Sequence, residues 1–308
     1  MNVKSIVKKI VPDKCWFFIR KCLITLKHCL IVAYLSPIVK RCDKHKLEKP
    51  NCKAKVSFPD NKRIIWQYWA QGYDNNLPEI VKICLKSVDI YASEYIIIRL
   101  SDANIKDYID VPSYISRDAM SAAHYSDVLR LLLLSTYGGL WLDTAMLLTG
   151  KLPEYILNED FFMYQRDKNE PHKDYWENSF AYYFGWNIGF RVNVLNGIIY
   201  SKPNGKVVTD LCSMMLFYWK HHKRAVDYFF FQIMTDLYLK KNPDINCTVV
   251  NDCIPHLLRQ KINADYPYLT VDEILRKTTL HSLSRKAPGC LERLKDILVS
   301  SKLDLLLD

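Results

Sequence analysis

The sequence predicts an α/β protein built on a mostly parallel sheet. Short β-rich runs alternate with helical periodicity from residue 63 onward, and the longest alternation turns from helix to strand at a Gly-Gly pair. The composition also allows a sizeable core: of 308 residues, 49% are hydrophobic and 25% charged, proportions ordinary for a globular chain. That length accommodates one large domain with appendages, or two small ones.

The elements follow in order. Arg63 to Trp69 (RIIWQYW) opens the body as a β-rich run that ends near Gly72. Leu77-Pro78-Glu79 fits a helix start, with proline at or just before the first turn, and Ile80, Ile83, Cys84, Ser87 and Val88 continue it at helical spacing. Tyr95 to Leu100 is a second strand, and Ser101 to Asn104 caps a short helix. The stretch from Ala123 to Thr149 then supplies a helix with a wholly apolar second half, a break at Tyr137-Gly138-Gly139, and a third strand. Glycine there lets the chain leave the helix in a left-handed conformation. Asp160 to Tyr164 reads as another strand, followed by a polar loop through Lys173. Ala181 to Phe190 mixes aromatics with Gly185, Asn187 and Gly189, the composition of a strand–loop crossing close to a ligand. Gly205 to Lys241 is helical, Thr248 to Val250 a late strand, His281 to Lys286 a polar segment, and Leu291 to Leu307 a closing amphipathic helix.

The net charge of +10 is unevenly placed. Residues 1–50 hold twelve Lys and Arg against Asp13, Asp43 and Glu48, so this segment carries +9 and the remaining chain +1. A near-neutral body without a basic-aromatic surface pattern argues against a nucleic-acid binder. Val3, Ile6, Val7 and Ile10 fall within about 100° on a helical wheel, with lysines opposite. Trp16, Phe17, Phe18 and Ile19 add apolar bulk beside Arg20 and Lys21. The pattern is that of a helix lying on an anionic membrane surface through residues 1–40. The uncharged run from His28 to Val39 contains Pro37 and falls short of the roughly 20 residues that a bilayer span needs. No cleavable signal is evident. Residues 42–62 read as a linker. The ten cysteines form no CxxC pair, which favours free thiols in a reducing compartment.

Three charged residues stand out in the apolar stretch. Asp127 and Arg130 lie at i and i+3 and share a helix face, either as a simple ion pair or as a joint grip on one ligand. Asp143 sits about halfway along the third strand, near where α/β folds place ligands. A carboxylate there suits a divalent metal or a ribose hydroxyl.

At these residues the sequence resembles a known family. The first strand IIWQYW, then Ser126-Asp127-Val128-Leu129-Arg130 and Tyr137-Gly138-Gly139-Leu140-Trp141-Leu142-Asp143, look like the capsular polysaccharide synthesis proteins. Those are relatives of the Och-type mannosyltransferases and of the catalytic domains of the large clostridial glucosylating toxins. The resemblance is strong from about Arg63 to Leu157 and thins to fragments such as Trp186-Asn187 and His281-Ser282-Leu283. It implies a GT-A, Rossmann-like nucleotide-sugar transferase domain over residues 56–290, between an N-terminal arm and linker (1–55) and a C-terminal helix (291–308). It further implies a retaining glycosyltransferase of surface polysaccharide synthesis at the cytoplasmic membrane face, with a nucleotide-sugar donor and a glycan or lipid-linked glycan acceptor. By resemblance, Trp66 and Gln67 line the base pocket, with Trp69 left to the core. Asp127 and Arg130 bind the donor sugar, with Trp141 and Asn187 beside the donor, and Asp143 takes the ribose and a Mn²⁺ or Mg²⁺ ion. The relatives' D-x-D motif reads Asp143-Thr144-Ala145 here, so the second carboxylate is absent, and His281 is the candidate for a distant metal ligand. That missing carboxylate also motivates a second reading, a catalytically silent nucleotide-sugar-binding scaffold.

Overall fold

The computed structural model describes residues 13–74, 76–284 and 289–307. Its central sheet takes the strands β1 (Ile64–Tyr68), β2 (Ile96–Leu100), β3 (Gly139–Leu142), β5 (Phe161–Gln165) and β6 (Val194–Ser201) in the order β2-β1-β3-β6-β5. β1 runs parallel to both β2 and β3, whereas β6 is antiparallel to β3 and β5. The sheet is therefore mostly parallel with one reversed strand, and the expected α/β architecture is borne out. A second, two-stranded sheet joins β4 (Met146–Leu148) to β7 (Leu280–Ser282).

The helices are α1 (Asp13–Asp43), α2 (Glu79–Tyr91), α3 (Ile105–Tyr108), α4 (Ala122–Tyr137), α5 (Lys173–Ser179), α6 (Lys206–His221), α7 (Phe230–Lys241), α8 (Leu257–Ala264), α9 (Val271–Lys277) and α10 (Cys290–Ser300). α2 begins directly after Pro78, as its sequence indicates. α4 is capped by Ser121, whose side chain accepts from His124 N, and ends at Gly138 with φ of 68°. Leu131 to Leu134 are fully buried, which accounts for a helix half that is apolar all round.

Several local expectations are corrected. The apolar run 139–149 is two strands in two sheets, and Asp143 stands at the break between them, not within a strand. β6 was not anticipated; its Asn196-Gly197 resembles turn chemistry, yet it lies inside a strand buried along nearly its whole length. Residues 205–241 form two helices, broken between His222 and Phe229. Residues 248–250 form no strand, only leading to an isolated bridge between Gln165 and Asn251. His281 and Ser282 are buried strand residues, not polar loop. The C-terminal helix stops at Ser300 and is followed by a short 3₁₀ turn.

The N-terminal segment also differs from expectation. Residues 3–10 lie outside the described residues, but α1 is one helix of 31 residues that continues through Pro37. From Cys15 to Asp43 it is long and apolar enough to cross a membrane by length and composition. Two apolar stripes share it. Ile24, His28, Ile31, Leu35, Ile38 and Cys42 recur at three- and four-residue intervals and are buried, packed on α6 and α7. Leu23, Leu26, Leu30 and Tyr34 repeat the same spacing on the outward side and are exposed. Ion pairs from Lys21 to Glu177 and from Lys27 to Asp227 pin the helix to the body.

The Gly138-Gly139 junction sets the angle between α4 and β3. Gly139 has φ of 96°, and an added Cβ would come within 2.6 Å of the Ile64 carbonyl oxygen. Gly72, with φ of 94°, has open space around it. Gly139→Ala is expected to cost on the order of 3 kcal/mol, and Gly72→Ala about 1 kcal/mol. Denaturant titration of the two variants measures the difference.

Candidate active site

β3 ends where Asp143 begins, so the carboxylate leaves the sheet at the carboxyl end of a parallel strand, the edge at which such sheets hold ligands. The Asp143 N–H donates to the Gly197 carbonyl at 2.8 Å. An added Cβ on Gly197 would approach Asp143 Oδ2 to 3.0 Å, so glycine in β6 makes room for that carboxylate. α4 runs alongside and presents Ser126, Asp127 and Arg130 to the same cleft, of about 540 Å³.

Arg130 ties the three charges together. Its Nη1 meets Asp127 Oδ1 at 2.8 Å and the Asn196 carbonyl at 2.8 Å. Its Nη2 donates to Ser126 Oγ at 2.9 Å and reaches Asp143 Oδ1 at 3.5 Å. The guanidinium lies 5.1 Å from the centre of the Trp141 ring, and the Trp141 Nε1–H donates to Asp143 Oδ1 at 2.7 Å. Asn196 Nδ2 completes Asp127 with a 2.8 Å bond. Asp127 and Arg130 are almost fully enclosed, whereas 41% of the Asp143 side chain faces the cleft. Desolvation raises the pKa of both carboxyls, and Arg130 is the chief opposing influence on each. Asn196 helps it at Asp127 and Trp141 at Asp143.

Trp69, Tyr228 and Arg259 also line the cleft. Arg259 is a second cation here; its Nε lacks a hydrogen-bond partner, and burial lowers its pKa.

The structure brings Asp127, Arg130, Trp141 and Asp143 together and leaves the other expected residues apart. Trp66 is fully buried; its indole N–H donates to the Gly138 carbonyl at 2.9 Å, and it packs on Phe58, Tyr108 and Tyr137. Trp69, expected in the core, lines the cleft instead. Gln67 is also fully buried, accepting from Arg99 Nε at 3.3 Å. Strand alternation does not expose it, because β1 lies inside the sheet with both faces covered. Asn187 belongs to a different cavity, beside Arg166 and Arg191. His281 is fully buried on β7, its Nε2 3.1 Å from Thr149 Oγ1, and does not line the cleft. Among the described residues, no three His, Cys, Asp or Glu side chains gather as a metal site. Among the described residues lining the cleft, Asp143 alone offers an open carboxylate, and the Ala145 side chain has no ligating atom. These residues do not by themselves make the six-oxygen shell that Mg²⁺ or Mn²⁺ takes.

Asn196, Tyr228 and Arg259 went unrecognised in the sequence, and Trp69 reads there as a core residue. Asn196 is hidden by the turn-like pair it forms with Gly197, and Arg259 by an ordinary helical context on α8.

The chain thus has a mixed, mostly parallel α/β architecture, with a polar cleft at the carboxyl end of its parallel strands. Residues 28–290 match the family described as capsular polysaccharide synthesis protein, and the chain belongs to that family. A search of curated proteins finds no match. Among solved structures, one titled "PaToxG Glycosyltransferase" aligns over 94% of this chain and 89% of its own at 11% identity. Its TM-score is 0.37, too slight a likeness to carry an argument.

Removing Arg130 strands two carboxylates in the protein. Arg130→Met is expected to cost about 3–5 kcal/mol at neutral pH. Without the cation, both carboxyl pKa values rise further above 3.8. Ionisation of these groups weakens the fold as pH rises through the raised values, so the deficit shrinks as pH falls toward 3.8. Urea titrations of wild type and variant at pH 7 and pH 5 check both the size and the sign.

Proposed function

We propose that the protein is a glycosyltransferase that moves a sugar from a nucleoside-diphosphate sugar to a glycan of a surface polysaccharide. The observation that carries this reading is the joined Asp127–Arg130–Asp143 group, in a cleft at the carboxyl ends of parallel strands, in a member of the capsular polysaccharide synthesis family. Asp127 and Arg130 fit the hydroxyls of the donor sugar, with Ser126 and Asn196 fixing their orientation. Asp143, more open, fits the ribose. Arg259, which lines the same cleft, supplies positive charge for the diphosphate as negative charge builds on its leaving oxygen.

The reaction is a substitution at the anomeric carbon. The acceptor hydroxyl oxygen forms the new bond as the bond to the diphosphate oxygen breaks. The diphosphate keeps the bonding electrons and receives the hydroxyl proton. In a retaining, front-face course both events occur on one side of the sugar and need no protein nucleophile.

For location, we propose the cytoplasmic face of the membrane. The outward stripe of α1 is apolar, while its inward stripe and two ion pairs hold it against the body. A helix held along one face in this way suits the plane of the interface better than a crossing.

A second reading, a non-catalytic nucleotide-sugar binder, is favoured by Ala145 in place of a second carboxylate. Turnover separates the two. UDP-, GDP- and dTDP-sugars, each with and without Mn²⁺, are expected to include one that the wild type hydrolyses. Asp143→Asn should lower that rate at least about tenfold, the scale of a lost charged hydrogen bond to the donor's ribose, with thermal stability retained. Donor binding without hydrolysis would favour the silent binder.

A further inference from the structure

A second cavity, of about 660 Å³, adjoins the cleft. Tyr183, Tyr228, Phe229 and Arg259 line both spaces. Its far wall is α1, through Ile24, Lys27 and His28. The N-terminal helix is therefore part of a compartment that meets the candidate donor site.

The lining of this compartment has a definite chemistry. Phe180 and Tyr182 are each 44% exposed, and Tyr228 is 62% exposed, so large ring surfaces remain free. An apolar pocket with a few placed polar groups is the common form of a small-ligand site. One such polar group is His256, only 6% exposed, with neither ring nitrogen hydrogen-bonded. Its contacts are edge-on with the rings of Tyr183 and Phe184. A buried polar group left unpaired is rare and asks for a missing partner. Burial lowers the His256 pKa to about 3, with Arg259 acting in the same direction, so the ring is neutral at physiological pH. Asp252 and Arg166 also face it, with opposing influences. A neutral imidazole presents one donor and one acceptor, as a hydroxyl group does in return. The matching ligand has hydroxyls and a ring face that stacks on aromatics.

We propose that this compartment is the acceptor subsite, and that it takes the terminal sugar of a lipid-linked glycan. His256 hydrogen-bonds a hydroxyl of that sugar, Phe180 and Tyr182 stack on its ring, and the lipid leaves along α1. The outward apolar stripe of the same helix, Leu23, Leu26 and Leu30, provides the surface beside which an apolar carrier is stable. The inference rests on the glycosyltransferase reading and adds the place and kind of acceptor.

The test uses the full-length protein, the donor identified by hydrolysis, labelled in its sugar, and membranes from the cells that make the protein. Label is expected in lipid extracted with chloroform and methanol. Phe180→Ala and Tyr182→Ala, at partly exposed positions, should each lower the ratio of lipid labelling to donor hydrolysis about tenfold. A ratio near the wild-type value in both variants would overturn the subsite. Label confined to water-soluble glycan, or no transfer to membranes at all, would overturn the lipid-linked acceptor. Absence of donor hydrolysis by the wild type would remove the glycosyltransferase reading itself, an outcome distinct from the other three.

Discussion

The site depends on one guanidinium shared by two carboxylates. Arg130 is enclosed by protein and holds Asp127 at ion-pair distance while reaching Asp143 on another element. Either carboxylate alone would face a large desolvation cost at that position. The shared cation offsets part of it, and the remaining bonds come from Ser126, Asn196 and Trp141. This coupling links α4 to β3 and β6, so the helix, the Gly-Gly turn and the reversed strand must all be in place before the cleft exists. The same contacts fix the geometry of the group, because Arg130 cannot turn without leaving both carboxylates without their cation.

Much of this was legible in the sequence because it is local. Asp127 and Arg130 are three residues apart on one helix, and the turn at Gly138-Gly139 follows from a conformation that other residues adopt with strain. What could not be read depends on pairing between distant segments. The antiparallel entry of β6 places Asn196 and Gly197 beside Asp127 and Asp143, across roughly fifty to seventy residues of chain, and no periodicity encodes that meeting. The tryptophans show the same limit. Trp66 and Trp69 look alike in sequence, but Trp66 lies within a strand covered on both faces and Trp69 just past its end. Only the second reaches the cleft.

The N-terminal helix illustrates a different difficulty. Two apolar stripes run along it about a third of a turn apart, so the sequence does not show which of them faces the body. Packing resolves the ambiguity: one stripe belongs to the core, and the other is exposed on the body's surface. Since the buried stripe also walls the cavity beside the cleft, the proposed membrane attachment and the proposed acceptor path would share one helix.

The central claim is that the Asp127–Arg130–Asp143 cleft binds a nucleotide sugar through its nucleoside diphosphate. Calorimetric titration of the wild type and of Asp143→Ala with UDP, GDP and dTDP addresses it directly. The account predicts that one of the three binds the wild type with micromolar affinity, about −8 kcal/mol, and binds the variant at least tenfold more weakly. Equal affinity in the two proteins, or no binding of any of the three, would contradict it.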